Sequence, residues 1–571
     1  MKRPLFFERS ELSRSLWAFR REFIWVGVFS LVANLLMLTP SIYMLQIFDR
    51  VLTSRSELTL IVVTTFLVVF IAAMAFADWI RSRLLVRAGT RMDRELNPRV
   101  FTASFDAYLR HTSRNPAEAF SSLTTLRQFL TGQGIIAFFD TPWTVIYIVV
   151  IFFLHPLLGW LSILFAGIQL CLTWMSNRAT VKGIERAAVS DTDSVEFARS
   201  KLRNIEPIHA MGMLGNMRKR WLGFHEESFD KSSVSVEKQN RQQSMTKFVR
   251  YTMQSLTLGA AALLVIDGRL TPGAMIVANL LMARVLQPLD LLVSTWNMFV
   301  HAKMAFLQLE TVFEEFPERA AGINQSEPQG NISLHNLSAI APGRDTPILD
   351  GISVDIPAGK VVVMVGPSGS GKSTLARCML GIWPDIEGEV LIDGQKIESL
   401  DRKELGPHIG YLPQDIELFE GSIAENIARF GKVVPEKVVR AAQRTGIHEM
   451  ILRFPGGYDT EIGMAGGMLS AGQRQRIGLA RAMYGNPAFI VLDEPNANLD
   501  DAGDQALVRA IDDLKMQGKT VVLISHRPYI VKVADFLLVL RDGKVAHFGP
   551  RDAVLAEIRS HATARPAESI G

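Results

Sequence analysis

Long apolar runs fill the first half of the chain and stop near residue 300. Runs at 23–48, 58–80, 135–154, 157–175, 251–266 and 274–300 approach the roughly 20 helical residues that cross about 30 Å of hydrocarbon. The pattern therefore predicts six membrane spans. The fifth is short, and only His155-Pro156 separates the third from the fourth, as in a tight hairpin. Between spans, 81–134 and 176–250 keep a helical pattern with few breakers. They read as extensions of the spans toward a soluble domain, with 114–123 and 204–213 as the expected contact points. Beyond residue 300 the pattern changes. Short buried-strand runs, "KVVVMVG" (360–366), "AFIVLDEP" (488–495) and "KTVVLISHR" (519–527), alternate with helical stretches, as in a soluble α/β domain.

Composition sharpens this division. Of 571 residues, 48% are hydrophobic and 21% charged, and mean hydropathy is positive, which suits a chain partly held in lipid. A net charge of +4 gives no argument for a nucleic-acid partner. Cys171 and Cys378 lack metal-ligand spacing and are expected as reduced, buried thiols. Basic residues set the orientation. Arg81, Arg83, Arg87, Arg91, Arg94, Arg218, Lys219 and Arg220 lie in the two long segments, against Arg50, Arg55 and Arg269 in the other connections. The positive-inside rule places the N-terminus and both long segments in the cytoplasm. Six spans return the chain to that side, which places the soluble domain in the cytoplasm as well.

Boundaries follow. Residues 1–22 read as an interfacial helix, with Leu12, Leu16, Trp17 and Phe19 on one side against membrane lipids rather than as a disordered basic tail. Residues 23–315 form the membrane domain, 316–330 a polar linker, 331–555 the soluble domain and 556–571 a tail. Asp140 is a carboxylate inside an apolar run. Its insertion costs roughly 3 kcal/mol, so it must face a cavity, a partner helix or water. It either reaches the interface or belongs to the transport path.

The soluble half carries the chemistry. The strand at 360–366 runs into "GPSGSGKST" (366–374) and then a helical pattern, the context a phosphate loop needs. Gly366, Gly369 and Gly371, with Pro367, Ser368 and Ser370 between them, let backbone N–H groups curl around phosphate oxygens at a helix N-terminus. Lys372 brings a charge to the β/γ-phosphates, the Ser373 hydroxyl can ligate Mg²⁺, and Thr374 completes the loop. Asp493 closes a buried strand and suits Mg²⁺; Glu494, one residue on, can polarise an attacking water. His526 ends a third strand and can contact the γ-phosphate.

These motifs, in this order, resemble the ATP-binding cassette (ABC) family over about residues 330–555. "LSAGQ" (469–473) is similar to the family's signature, with Ala471 where a glycine is usual. Gln414 in "YLPQD" looks like its Q-loop residue, which senses Mg²⁺; "NANLD" (496–500) looks like its D-loop, and His526 like its switch histidine. The resemblance implies an α-helical six-span transmembrane domain followed by an α/β P-loop nucleotide-binding domain that hydrolyses ATP with Mg²⁺. It also implies a homodimer, in which Ser470, Gly472 and Gln473 cap the nucleotide of the partner's phosphate loop. Family members usually stack adenine on an aromatic residue where this chain has Ala341.

"MLTPSIYMLQIFDRVLTSRS" (37–56) and "FFDTPWTVIYIVVIFFLHPLLG" (138–159) narrow the resemblance to type I protein-secretion transporters of Gram-negative bacteria, nearest the branch exporting metalloproteases, lipases and haem-binding proteins. With only residues 1–22 ahead of the first span, the peptidase-like domain of some branches is expected to be absent. The resemblance implies the bacterial inner membrane, a periplasmic membrane-fusion adaptor, an outer-membrane channel and unfolded protein cargo with a C-terminal signal. A lipid or small-molecule exporter built on the same engine is the alternative.

Overall fold

Among the described residues, five helices of the first half are long and apolar enough to cross a membrane, and a shorter apolar helix, Pro156–Leu172, lies between the third and fourth. The computed structural model describes residues 10–110, 116–172, 174–175, 197–198, 205–318, 327–341, 346–463 and 469–563. The chain divides into two units, Met1–Ala107 with Asn115–Glu318, and Tyr108–Arg114 with Arg319–Gly571.

In the first unit, the opening span runs through helices Arg20–Leu36 and Thr39–Gln46 into a π-helical turn, Ile47–Val51. The second, Glu57–Arg110, continues unbroken far past its apolar part. The third is built from Pro116–Thr131, Gln133–Asp140 and Thr144–Leu154; Pro142 turns the chain through a single 3-10 turn between the last two. His155 is extended and is the one residue between this helix and the fourth, so the hairpin is as tight as the sequence suggests. The fifth and sixth are Leu214–Ile266 and Pro272–Glu315. Large apolar side chains such as Phe153 (86% exposed) and Leu58 point outward, the arrangement lipid favours and water does not.

Two sequence expectations change here. The N-terminal segment begins, among described residues, with helix Glu11–Trp17, and Leu12 and Phe19 are fully buried against Met92, Leu96 and Val100 of the second long helix and Leu309, Val312 and Phe313 of the last. Arg99 fixes it with a bidentate pair to Glu11, at 2.8 and 3.0 Å, and a further bond to the Phe316 carbonyl. The apolar side is therefore spent on protein rather than on lipid; only Trp17 remains open. Cys171 is exposed on the outer side of its helix rather than buried, because a span can leave weakly polar groups facing hydrocarbon. Cys378 is buried as expected, and burial pushes its thiol up to about 12, so it is inert.

The second unit is a layered α/β domain. Its strands are β1 (Ile332–Ile340), β2 (Pro347–Ile356), β3 (Val361–Val365), β4 (Ile386–Ile392), β5 (Gln395–Lys396), β6 (Ile409–Leu412), β7 (Gly421–Ser422), β8 (Glu461–Ile462), β9 (Phe489–Asp493), β10 (Thr520–Ile524), β11 (Phe536–Arg541) and β12 (Lys544–Pro550). The main sheet has order β12-β11-β3-β10-β9-β6, parallel except for β12. An antiparallel sheet, β2-β1-β4-β5, covers one face. Alternation in the central strands feeds both sides: Val362, Met364, Val491 and Val522 pack toward the antiparallel sheet, while Val361, Val363, Ile490 and Val521 pack toward helices Ala471–Met483 and Asp501–Met516. Burial on both faces explains why these strands are continuous apolar runs. Each such side chain contributes about 1.5–3 kcal/mol.

A third core, under the short helices Ile423–Ile427, Pro435–Arg444 and His448–Leu452, receives Ile477 and Ala480 from helix Ala471–Met483. That helix thus serves two cores. Its C-terminal end is held by Arg429, whose guanidinium donates to the carbonyls of Arg481, Ala482, Tyr484, Gly406 and Ile409.

Candidate nucleotide site

Strand β3 delivers the chain, fully buried, to Gly366. A Cβ at Gly366 would fall 2.2 Å from the Leu540 carbonyl oxygen, and one at Gly371, whose φ is +95°, would fall 2.6 Å from Leu349. Only glycine closes this turn. Helix Lys372–Met379 starts directly after it, so its free N–H groups point into the loop formed by Gly366, Pro367, Ser368, Gly369, Ser370 and Gly371. Lys372 is buried and donates from Nζ to the carbonyls of Gly366 and Pro367, both at 2.8 Å. Burial lowers its pKa, while Glu494 and Asp493 pull it back up.

Asp493 ends β9, next in the sheet but one, and comes to the same place. Its carboxylate accepts from the Ser373 hydroxyl, and its Oδ1 is buried with no protein partner. Burial raises its pKa; the Ser373 bond, Arg377 and Lys372 oppose that shift, and Glu494 adds to it. A buried carboxylate oxygen left unpaired beside a hydroxyl is costly alone and suits a hard divalent cation. The residues therefore fit Mg²⁺.

Glu494 sits at φ +48°, a left-handed backbone that side-chain-bearing residues seldom adopt. Its N–H donates to the Ile524 carbonyl at 3.0 Å, which fixes it against the end of β10. The Gln414 amide, just past β6, reaches Glu494 Oε2 at 3.4 Å. His526, two residues beyond β10, is exposed, whereas its neighbour Ser525 is buried and donates to Asn496 Oδ1 at 3.1 Å. The structure thus gathers Lys372, Ser373, Asp493, Glu494 and Gln414 at the ends of adjacent strands, as a doubly wound sheet places its ligand sites. Thr374 lies within the helix that follows.

The 469–473 stretch is elsewhere. Residues 464–468, just ahead of it, lie outside the described residues. Ser470 caps helix Ala471–Met483, accepting from the Gln473 N–H at 3.2 Å, and Gln473 Oε1 accepts from the Ser470 N–H at 2.8 Å. A cleft of about 530 Å³ opens here, lined among others by Ser470, Gly472, Gln473, Arg476, Asn498 and Asp500, and by no residue of the phosphate loop. Arg476 pairs with Asp500 at 2.5 Å.

Gln475 is a residue that the sequence reading passes over. It is 2% exposed; its amide donates to the carbonyls of Glu494 (3.2 Å) and Pro495 (2.6 Å), and its Oε1 accepts from the Asn498 N–H at 2.8 Å. One side chain therefore ties the signature helix to Glu494 and to the 496–500 loop. The available signal was a polar residue on the buried side of an amphipathic helix.

Ala341 follows β1 directly, and residues 342–345 beside it lie outside the described residues. The Trp383 indole donates to the Ile340 carbonyl at 3.1 Å.

Residues 349–497 match the family model described as ABC transporter, and residues 23–289 that described as ABC transporter transmembrane region. The chain is 38% identical to the type I secretion system ATP-binding protein PrsD of Rhizobium meliloti (strain 1021), covering 94% of this chain and 93% of that one. It is 30% identical to the alpha-hemolysin translocation ATP-binding protein HlyB of Escherichia coli, over 95% of this chain and 77% of that one. Its fold matches a bacterial Atm1-family ABC exporter with ATP bound, with a TM-score of 0.82 over 96% of this chain and 99% of that one, at 24% identity.

Proposed function

The chain belongs to the ABC transporter family, a multi-pass membrane protein with a nucleotide-binding ATPase domain, and we propose that it is the export ATPase of a type I protein-secretion system. The observation carrying this reading is the 38% identity to a type I secretion ATP-binding protein, which runs through both halves of the chain. The ATPase engine is common to many exporters, so the membrane half is what separates protein export from lipid or drug export.

In this reading the protein lies in the bacterial inner membrane with its ATPase domain cytoplasmic, and it works as a homodimer. A periplasmic adaptor and an outer-membrane channel complete the path for an unfolded protein carrying a C-terminal signal. The cleft at Ser470 supports the dimer, since it is lined by no residue of its own phosphate loop. Ser470, Gly472 and the helix N-terminus behind them face the γ-phosphate held by the partner's loop.

ATP binds with its phosphates against the backbone N–H groups of 366–374, and Lys372 shifts its ammonium from loop carbonyls to phosphate oxygens. Ser373 and Asp493 would hold Mg²⁺, with Gln414 alongside; the cation would spread charge from the β- and γ-phosphates. Glu494 orients a water for in-line attack, and His526 stabilises charge on the γ-phosphate. Binding closes two cassettes on two nucleotides; hydrolysis and phosphate release part them.

The test compares proteins in the culture medium of cells carrying the wild-type chain or Glu494→Gln. Loss of one or a few proteins from the medium, with their retention inside, is expected. An unchanged medium overturns the secretion reading.

A further inference from the structure

Among the described residues, six polar side chains of the membrane helices fall in two sets that share one order of amide, guanidinium and carboxylate, the first set having in addition the Ser30 hydroxyl, which donates to Asp140. In the first set, Asn34 of the first span donates its amide to Asp140 Oδ1 at 3.0 Å, and Arg81 of the second donates to that oxygen at 3.0 Å. Asp140 itself lies on the third span. In the second set, Gln169 of the fourth span donates its amide to Asp290 Oδ1 at 2.7 Å, and Arg250 of the fifth donates to Asp290 Oδ2 at 2.8 Å. Asp290 lies on the sixth. Amide, guanidinium and carboxylate thus come from the first, second and third helix of each successive triple.

The sets also share a level. Asp140 and Gln169 lie about 14–15 residues, or roughly 22 Å of helix, on either side of the His155 hairpin. Arg250 and Asp290 lie roughly 24–27 Å from the ends of their helices at Ile266 and Pro272. At that distance from the hairpin ends the sets lie toward the cytoplasmic edge of a roughly 30 Å hydrocarbon core, and burying charged side chains between helices there still carries a desolvation cost. Packing alone joins helices without that cost, and apolar replacements of buried ion pairs are often neutral or stabilising. Two matching sets, each linking three helices at one level, call for a role that packing does not fill. Their geometry is directional: each carboxylate is held from two sides, so no helix of a triple turns or slides without breaking a charged bond.

We propose that Asn34–Arg81–Asp140 and Gln169–Arg250–Asp290 are two equivalent clamps, each fastening three successive membrane helices. They act as positioning residues through which ATP turnover drives transport. The transport part of this inference rests on the export reading above.

The clamps are not equally exposed to damage. Arg81 also pairs with Asp78 at 3.0 Å, so Asp140→Asn leaves the guanidinium one carboxylate. The two Asp→Asn variants are therefore the gentle probes. In cells, Asp140→Asn and Asp290→Asn are each expected to lower export at least tenfold. In the purified full-length protein the KM for ATP is expected to stay unchanged, and kcat to stay within about threefold. Asp140→Glu, which keeps the charge, restores export, and so does the reversed pair Arg250→Asp with Asp290→Arg. The variant lacking both carboxylates exports no less than the worse single one.

Spin labels at exposed positions 24 and 86, and at 170 and 248, report the same clamps without any cargo. Distances within each triple are expected to hold when ATP is added to Glu494→Gln protein, and to broaden once the matching aspartate is Asn. Wild-type export by both Asp→Asn variants overturns the coupling role, as does failure of the reversed pair in a protein that melts like the parent. Unbroadened label distances overturn the clamps themselves. If Glu494→Gln does not alter export, the export reading has failed instead, and the label distances still decide the clamps.

Discussion

Replacing Gln475 with Leu keeps the volume and removes three bonds at once. The carbonyls of Glu494 and Pro495 and the N–H of Asn498 lose their partner, the Pro495 carbonyl in a buried place and the other two in part-buried ones. A buried polar group left unpaired costs about 1–3 kcal/mol. One buried and two part-buried groups at the lower part of that range, partly offset by the apolar leucine, give a loss of about 3 kcal/mol. For a unit of this size each kcal/mol moves the midpoint by about 2–4 °C, so the nucleotide-binding unit should melt about 6–12 °C lower. Catalysis should suffer separately. Glu494 takes its direction from a turn held on one side by Ile524 and on the other by Gln475. With one side loose, kcat for ATP should fall at least tenfold, while KM, set by the untouched phosphate loop, holds. Thermal unfolding and steady-state ATPase on the purified full-length protein give both numbers. Gln473→Ala, at the start of the same helix, is the stability contrast; it loses a capping box and should cost only about 1 kcal/mol. A Gln475→Leu protein that melts and turns over like the parent refutes the tie between the signature helix and Glu494.

Phe19→Ala should lower the unfolding temperature of the membrane half, since emptying a fully buried Phe costs about 3–5 kcal/mol; no shift in thermal unfolding would return this segment to the lipid surface. His526→Ala should leave stability within about 0.5 kcal/mol, because the ring is exposed, yet cut ATPase activity at least tenfold in steady-state assays; unchanged kcat would remove it from the mechanism. The raised Asp493 carboxyl favours the protonated folded state, so its contribution to stability is present below the unfolded value of about 3.9 and is lost as pH rises through the folded one. The same shift makes protons compete with cations, so Mn²⁺ affinity measured with ADP should fall on acidification while still above the ordinary carboxylate range. Affinity flat to about pH 4 would contradict it.

Where a residue's role depends on its neighbours in sequence, it could be read directly. The phosphate loop needs strand, glycines, lysine and helix in one stretch, and Gly366–Thr374 supplies them in order. The same holds for the long spans, whose apolar composition is their whole definition. Reading failed where the partner is distant in the chain. Leu12 and Phe19 look like a lipid-facing stripe until helices 80 and 300 residues away cover them. Gln475 looks like one more polar helix residue until Glu494 and Asn498 meet it. Asp140 was visibly anomalous, but its partners Asn34 and Arg81 were not legible, because nothing in spacing brings three helices to one level.

The left-handed backbone at Glu494 sets two selective demands against each other at one codon. Glycine adopts that conformation freely, and asparagine does so more readily than glutamate, so drift to either relaxes about 1 kcal/mol of strain. Every such change also discards the carboxylate. A lineage in which hydrolysis at this site ceased to matter would therefore lose the glutamate quickly, pulled by stability rather than merely released from constraint. A saturation library at position 494, sorted once for folded protein and once for export, should rank its members in nearly opposite orders.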